Sequence, residues 1–183
     1  MKTIKIMLAV LAFSLLAVGS HAQDTPKADV ALGYSYLHIN GQNGVSGFNN
    51  NGFSGSAAYN LTGMFGVVGD FGVYHGTVSG VGLTTESYLF GPRVSFRESD
   101  KFVPFVQAVF GGVHENSITV GGVTVPGTSD FAFSFGGGTD IAIAKDGMIA
   151  LRPQFDYVGV RDSGTTLNTE RVSVSIVFNI GKK

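Results

Sequence analysis

Charged residues inside otherwise apolar, alternating stretches are the first candidates for chemistry in this chain. A charge surrounded by apolar groups must be paired or hydrated, because burying it alone is costly in free energy. Gln154 lies two residues before Asp156, on the same face of its predicted strand, so its amide can hydrogen-bond with the charged residues there. Together these residues predict a network of hydrogen-bonded ion pairs. Its charged members are Asp70, Arg93, Asp140, Arg152 and Asp156.

The spacing of these charges about the predicted turns indicates which of them pair. Asp140 and Arg152 are nearly equidistant from the turn between their strands, so antiparallel pairing should bring them face to face. Asp70 and Arg93 are placed similarly about their own loop. We therefore expect two buried arginine–carboxylate pairs that plug the interior of the fold. The alternative is that the same charges line a path for ions.

Three histidines are the other candidates, since His38, His75 and His114 fall near the same end of their predicted strands. Such a group could bind a metal or supply the base of a hydrolase. The spacing matches no H-E-x-x-H motif, and the chain contains no G-x-S-x-G motif. Gly136-Gly137-Gly138 is not followed by Lys and Ser or Thr, so it does not predict a phosphate loop. We expect no catalytic residue, no cofactor and no bound metal.

The clearest of the elements that position these residues is the stretch from Phe131 to Ala144, FAFSFGGGTDIAIA. Its odd positions are mostly Phe and Ile, and its even positions are Ala, Ser, Gly and Asp. Side chains alternate between the two faces of a strand, so this pattern predicts one apolar face and one small, polar face. A helix would mix the two sets and would carry three central glycines at about 1 kcal/mol each.

The same alternation recurs and predicts eight strands, which is the number expected for a small closed barrel. They are Val30–Ile39, Phe53–Leu61, Phe65–Thr77, Thr84–Arg97, Phe102–Glu115, Phe131–Ala144, a seventh that includes Ile149 to Tyr157, and Thr169–Ile180.

The connections between these strands are predicted to alternate in length. Those after the second, fourth and sixth strands are tight turns, and the others are generally longer loops. Barrels of the bacterial outer membrane have short periplasmic turns and longer outer loops. The lysines fall at turns or termini on the side of the tight turns. The loops opposite the tight turns are Asn40–Gly52, a short Gly-rich loop around Ser79 to Leu83, Asn116–Asp130 and Asp162–Asn168.

Two details of this assignment are open. In the fifth strand, an inward Gln107 also sends Phe105 and Val109 inward, so a β-bulge is a reasonable alternative. The loop Asn116–Asp130 contains the apolar segment ITVGGVTV, which is consistent with a hairpin extension.

Composition limits the class of protein. The 183 residues favour one domain, and charged residues make up only 14% of the chain. There is no Cys, so disulfides and thiol chemistry are excluded. Aromatic residues at 11% argue against disorder, and the chain has no basic cluster for nucleic acid apart from its C-terminal lysines.

The N-terminus predicts a secretory signal peptide over residues 1–22, followed by one domain over residues 23–183. Lys2 and Lys5 precede an almost purely apolar run, and Ser20-His21-Ala22 fits a small-x-small cleavage site. The run is short for a transmembrane helix and lacks a stop-transfer flank. Without Lys2 and Lys5, 10 basic and 13 acidic residues remain, and the net charge is −3.

The composition of the two faces separates a membrane barrel from a soluble one. A soluble barrel is apolar inside and carries many Lys and Glu outside. Here the polar face is mostly Gly, Ala, Ser and Asn, which suits a narrow interior, whereas the opposite face is too aromatic for water. We therefore predict an all-β, eight-stranded antiparallel up-and-down transmembrane barrel.

These features resemble the small eight-stranded outer-membrane barrels of the OmpA/OmpX type, the outer membrane protein beta-barrel domain family. The resemblance covers Gln23 to Ile180 and depends on the signal segment, FAFSFGGGTDIAIA, ALRPQFDYVGV and the terminal VSVSIVFNI strand. It implies a location in the cell outer membrane, contact with lipopolysaccharide and phospholipid, and a monomer.

The resemblance implies a non-catalytic structural or surface role: envelope integrity, adhesion, or binding of an extracellular ligand by the outer loops. The alternatives are an enzyme that modifies lipid A or phospholipid, with His75 or His114 as base, and a narrow channel for small solutes. No nucleic acid is expected as a partner.

Overall fold

The computed structural model describes residues 25–41, 47–78, 80–120, 123–144, 146–162 and 164–182. The signal peptide predicted over residues 1–22 lies outside the described residues, so its removal stays a prediction. Among the described residues, none forms a helix with the length and hydropathy required to cross a membrane.

All regular elements of the described residues are strands. The barrel strands contain 13 to 18 residues, which exceeds the 9–11 or so that cross a bilayer when tilted. The barrel therefore extends beyond the membrane. The elements are β1 (Pro26–Ile39), β2 (Phe48–Asn60), β3 (Phe65–Val78), β4 (Val81–Ser95), β5 (Phe102–Glu115), β6 (Ile118–Val120), β7 (Val123–Val125), β8 (Thr128–Ala142), β9 (Ile149–Asp162) and β10 (Thr165–Lys182).

Eight of these strands close into a barrel in the order β1-β10-β9-β8-β5-β4-β3-β2, and β6 pairs with β7 in a separate two-stranded sheet. Every neighbouring pair is antiparallel, and β10 joins β1 along its length, from Pro26 opposite Lys182 to Ile39 opposite Thr169. Closure leaves the barrel without an open edge. The predicted eight-stranded, antiparallel up-and-down barrel is confirmed.

The barrel has the inverted polarity that the alternating pattern predicts. Phe131 and Phe135 are 52% and 47% exposed on its outer surface, whereas Ala132 and Ser134 between them are fully buried. Among the described residues, buried polar and charged side chains outnumber buried apolar ones, and the large exposed apolar side chains are mainly Phe, Val and Tyr. An apolar outer surface around a polar interior is the arrangement of a transmembrane barrel, not a soluble one.

Two of the four predicted outer loops are reduced to tight turns. Strands β3 and β4 remain paired up to Val78 opposite Val81, and β9 and β10 up to Asp162 opposite Thr165. Each connection is therefore a two-residue turn. Glycine makes this possible, because Gly80 and Gly164 have φ of 83° and 88°, values that other residues rarely adopt.

The other two connections at this end remain the longest of the barrel. The first is shorter than predicted, because β2 begins at Phe48 and already pairs with Ile39 there. The second contains the hairpin β6–β7, as the apolar segment ITVGGVTV indicated. Because outer loops are longer than periplasmic turns, we assign this end as the outer end of the barrel.

Strand β5 contains no bulge, so the alternative considered for it is wrong. Phe90 pairs with Phe110 and Arg93 with Gln107, which places β4 and β5 in one register on both sides of Pro92. Phe105 and Gln107 therefore both point inward and are buried. The inward ring of Phe105 packs against the guanidinium groups of Arg93 and Arg152.

Candidate functional site: the charged barrel interior

The barrel interior is the site that the sequence predicted, and all five predicted charges face it. Arg93, Arg152, Asp70 and Asp156 are buried, and Asp140 is half-buried. The structure adds two buried charges that the sequence reasoning missed, Asp29 on β1 and Arg171 on β10. The seven charges form two clusters at different depths.

The periplasmic cluster consists of Asp29, Arg93, Asp140 and Arg152. Arg152 donates to both carboxylate oxygens of Asp140, from Nε to Oδ1 at 2.5 Å and from Nη2 to Oδ2 at 2.8 Å. Oδ1 of Asp29 accepts from Nη2 of Arg152 at 2.9 Å and from Nη1 of Arg93 at 3.1 Å. With two carboxylates and two guanidiniums, this cluster is balanced in charge.

Two uncharged side chains hold the arginines of the periplasmic cluster in place. The Phe105 ring lies between them, with its centroid 4.6 Å from Cζ of Arg93 and 4.8 Å from Cζ of Arg152. Oε1 of Gln107 accepts two bonds from Arg93, at 3.1 and 3.2 Å. The ring gains cation–π stabilisation in a dry environment, which explains an inward aromatic residue among polar neighbours.

The central cluster consists of Asp70, Asp156 and Arg171. Arg171 donates from Nη1 to Oδ1 of Asp70 at 2.6 Å and from Nη2 to Oδ2 at 2.9 Å. Its Nε donates to Oδ2 of Asp156 at 3.0 Å. Nε2 of Gln154 donates to both oxygens of Asp156, and Nη1 of Arg171 also donates to the Tyr74 hydroxyl at 3.2 Å. Two carboxylates share one guanidinium here.

The predicted pairing is right for one pair and wrong for the other. Asp140 and Arg152 are joined, as their positions about the β8–β9 turn indicated. The expected Asp70–Arg93 pair is wrong, because Arg93 binds Asp29 and Asp70 binds Arg171. Arg93 lies near the periplasmic end of β4, opposite Gly66 of β3, which puts Asp70 at a different depth.

Asp29 and Arg171 were missed although the sequence contains a signal for them. Asp29 has the same parity as the inward Ser35 of β1, and Arg171 the same parity as the inward Ser173 of β10. The predicted β1 began at Val30, one residue too late to include Asp29. Beginning β1 one residue earlier would have found Asp29, and applying the alternation to the first residues of the predicted strand Thr169–Ile180 would have found Arg171.

Glycines opposite the large polar side chains make room for the central cluster. A Cβ on Gly136 would fall on Oδ1 of Asp156, its partner across the β8–β9 ladder. A Cβ on Gly72 would fall on the Tyr74 hydroxyl, which folds back towards Arg171. The small residues on the inward face are therefore required by the charges they surround.

Arg97 covers the periplasmic end of the interior, just beyond the end of β4. Its Nε donates to the backbone carbonyl of Gly63 at 3.1 Å. Burial lowers the pKa of Arg97 from its ordinary value, and the carboxylates of Asp29 and Asp140 oppose that shift. Because the ordinary value lies far above neutral pH, the guanidinium stays charged.

The three histidines are not gathered at one place. Nδ1 of each makes a bond to its partner on the neighbouring strand, so each belongs to a separate cross-strand pair on the outer surface. Within the part of the chain that the structure describes, no group of three or more His, Cys, Asp and Glu side chains is placed to hold a metal ion. The pairs are His38–Asn49 at 2.7 Å, His75–Thr84 at 2.9 Å and His114–Ser129 at 2.8 Å.

The fold and its interior define a class of protein, a small transmembrane barrel whose interior is crossed by ion pairs. The family model that describes the outer membrane protein beta-barrel domain matches residues 8–179. The chain therefore belongs to this family, and its location is the outer membrane. No curated protein matches the chain at a significant level.

Several solved structures share this fold at low sequence identity. Neisserial surface protein A is 12% identical over 84% of this chain and 97% of its own, with a TM-score of 0.70. The attachment invasion locus protein Ail of Yersinia pestis is 14% identical over 84% and 99%, with a TM-score of 0.59. The N-terminal barrel domain of Pseudomonas aeruginosa OprF is 16% identical over 85% and 100%, with a TM-score of 0.54.

Proposed function

We propose that this protein is a non-catalytic outer-membrane barrel with a structural and surface-interaction role. The observation that carries the proposal is the pair of ion clusters that block the periplasmic and central parts of the interior. Such clusters stabilise a barrel and leave interaction with other molecules to its outer end and its lipid-facing surface.

The clusters argue against a role as a solute channel because their bonds cross the lumen. Arg171 on β10 binds Asp70 on β3, and Arg93 on β4 binds Asp29 on β1, in each case between strands that are not neighbours. An eight-stranded barrel has an interior just wide enough for side chains. Ions or solutes would have to break buried, bidentate pairs to pass.

The spread of the histidines argues against the alternative of a lipid-modifying enzyme. His75 and His114 bond to neutral hydroxyls, those of Thr84 and Ser129, on the outer surface. A general base of a hydrolase is normally oriented by a carboxylate and set against a nucleophile. The hydrogen bonds from Nδ1 of His75 and His114 go to these hydroxyls and not to a carboxylate.

The outer end offers the surface for binding. The β6–β7 hairpin forms its own small sheet there, and Val125 is exposed. In sequence, the segments at this end carry one arginine, Arg161, against several carboxylates, which favours a neutral or basic partner over a polyanion. The carboxylates are Glu86, Glu115, Asp130, Asp162 and Glu170.

The proposed function also includes contact between the lipid-facing surface and the membrane. The band of exposed Phe, Leu and Val side chains would contact the acyl chains of phospholipid and lipopolysaccharide. Because closure uses both edges of the sheet, the barrel needs no second copy to complete its hydrogen bonding, and we propose a monomer.

The proposal is tested with the full-length, purified protein in lipid. In planar bilayers we expect no stepwise conductance, and in vesicles of phospholipid and lipid A we expect no new lipid product by mass spectrometry. A peptide tag inserted at residues 121–122, within the β6–β7 hairpin, should be accessible to antibody on intact cells. Steady conductance, or lipid turnover that is lost in a His75→Ala, His114→Ala double variant, would overturn the proposal.

A further inference from the structure

The outer half of the barrel interior contains a cavity of about 340 Å³ above the central cluster. Tyr74 and Arg171 form its floor, and it reaches the outer ends of the strands at Ile39. The volume lies at the lower end of the range for small-molecule sites in proteins. It is large enough for a molecule of about two fused rings.

The walls of this cavity are mainly apolar although they face the inside of a membrane barrel. Leu37, Leu89, Val113 and Val158 line it, and all four are buried. The inverted polarity of the barrel predicts small and polar side chains at inward positions, as the lower half of the interior has. The outer half therefore departs from the rule that the rest of the barrel follows.

Two polar atoms in the cavity wall have no protein partner. Oδ1 of Asn50 and Oγ of Ser87 are buried and make no hydrogen bond, although Asn50 is only 3% exposed and Ser87 9%. A buried acceptor without a donor costs about 1–3 kcal/mol, so native structures rarely keep one without a reason. Both residues line the cavity, and Oδ1 of Asn50 lies beside Gly76 of the neighbouring strand.

The floor offers no free charge. The three guanidinium nitrogens of Arg171 already donate to Asp70, Asp156 and the Tyr74 hydroxyl. An anionic ligand would find no unpaired cation there, and any ion would lose its hydration against the apolar walls. The apolar walls therefore favour an uncharged ligand, and the carboxylate of Glu115 in the outer wall further disfavours an anion.

We propose that this cavity binds a small, uncharged, mainly apolar molecule that carries a hydrogen-bond donor such as a hydroxyl group. The apolar body fills the space between the leucine and valine side chains, and the donor reaches Oδ1 of Asn50. Water is a poorer occupant, because ordered water needs two to four polar partners and apolar cavities tend to stay dry. The inference does not depend on the proposed structural role.

The test uses the full barrel in lipid nanodiscs with ¹³C-labelled Leu and Val methyl groups. The probes are 1-naphthalenemethanol and 1-ethylnaphthalene, which have nearly the same shape and differ in the hydroxyl donor. We expect the alcohol to shift the methyl signals of Leu37, Leu89, Val113 and Val158 saturably. The lipid-facing methyls of Leu32 and Val106 report partition into the bilayer and should change only linearly.

Two variants and one matched control separate the parts of the proposal. Val113→Trp fills the cavity and should abolish the saturable shifts, whereas Val106→Trp, on the lipid-facing side of the same strand, should leave them intact. Asn50→Leu removes the unpaired acceptor and should weaken binding of the alcohol about threefold to tenfold, with no loss for the hydrocarbon.

Three outcomes would overturn the inference. The first is the absence of saturable shifts at the cavity methyls, which means that the cavity does not bind the probe. The second is equal affinity for the alcohol and the hydrocarbon in the unsubstituted protein. The third is binding that survives Val113→Trp. None of these results depends on conductance or lipid turnover, so they test this inference independently of the proposed function.

Discussion

Arg171 on β10 holds Asp70 on β3 through two parallel hydrogen bonds of 2.6 and 2.9 Å that cross the interior of the barrel. The two strands are separated by β1 and β2 in the closed sheet. The pair therefore ties opposite walls together, which backbone hydrogen bonds between neighbouring strands cannot do. Two parallel hydrogen bonds make the Arg171–Asp70 pair stronger than a single bond would and fix the relative orientation of the two side chains.

Replacing Arg171 by Met should destabilise the barrel strongly. The variant leaves Asp70 and Asp156 buried without their shared cation, and breaking a buried pair in this way costs about 3–5 kcal/mol. Urea unfolding in phospholipid vesicles measures the difference. Arg161→Met removes an exposed arginine near the end of β9 and should change stability by less than about 1 kcal/mol. Equal effects of the two substitutions would contradict the role of the central cluster.

Asp156→Asn should be tolerated, in contrast to the loss of Arg171. The central cluster has two carboxylates for one guanidinium, so removing one negative charge leaves a matched Asp70–Arg171 pair. The new amide keeps an oxygen for Arg171 and can meet Gln154 after that side chain turns. The same unfolding assay should show a change of no more than about 1 kcal/mol. A loss as large as that of Arg171→Met would show that both carboxylates are needed.

The alternating pattern predicted the barrel and the face of each charge, because side-chain direction in a strand is a local property. Asp140 and Arg152 were paired correctly because they are neighbours across one turn. The partners of Asp70 and Arg93 depend on barrel closure, which places β10 and β1 beside strands far away in sequence. No spacing within a single hairpin contains that information.

A charge on the lipid-facing surface should be costly in proportion to its depth. Phe135 lies midway along β8 and points outward, so Phe135→Lys should destabilise the barrel by about 2–4 kcal/mol. Met148 is exposed at the periplasmic end, where the same substitution should cost about 0–1 kcal/mol. Unfolding in vesicles of one lipid composition compares the two. Equal costs would show that residue 135 does not face the bilayer core.

Gly136→Ala should disturb the central cluster. The added methyl group would fall on Oδ1 of Asp156 and on the carbonyl oxygen of Phe155, so the ladder or the carboxylate must move. Overpacking of this kind costs about 1–3 kcal/mol. Gly82→Ala is the matched control, because a Cβ there meets no atom within 4 Å. If both variants unfold at the same urea concentration, the glycine is not needed for space.

The connections were harder to predict than the strands. Ser79–Leu83 is rich in glycine and Asp162–Asn168 is polar, so both were interpreted as loops. The β3–β4 and β9–β10 pairs nevertheless continue until only two residues separate their strands. Beyond the bilayer a strand needs no apolar face, so alternation fades while pairing continues. The positive φ of Gly80 and Gly164 marks the true turns.

Leu89 and Phe90 give the most direct test of the inverted polarity on which the account depends. They are consecutive in β4, yet Leu89 is buried in the interior and Phe90 is exposed on the outside. The chain has no Trp, so Leu89→Trp and Phe90→Trp each introduce a single fluorophore at nearly the same depth. In vesicles of brominated phospholipid, we predict strong quenching of Trp fluorescence for Phe90→Trp and little for Leu89→Trp. Equal quenching, or the reverse order, would contradict the account.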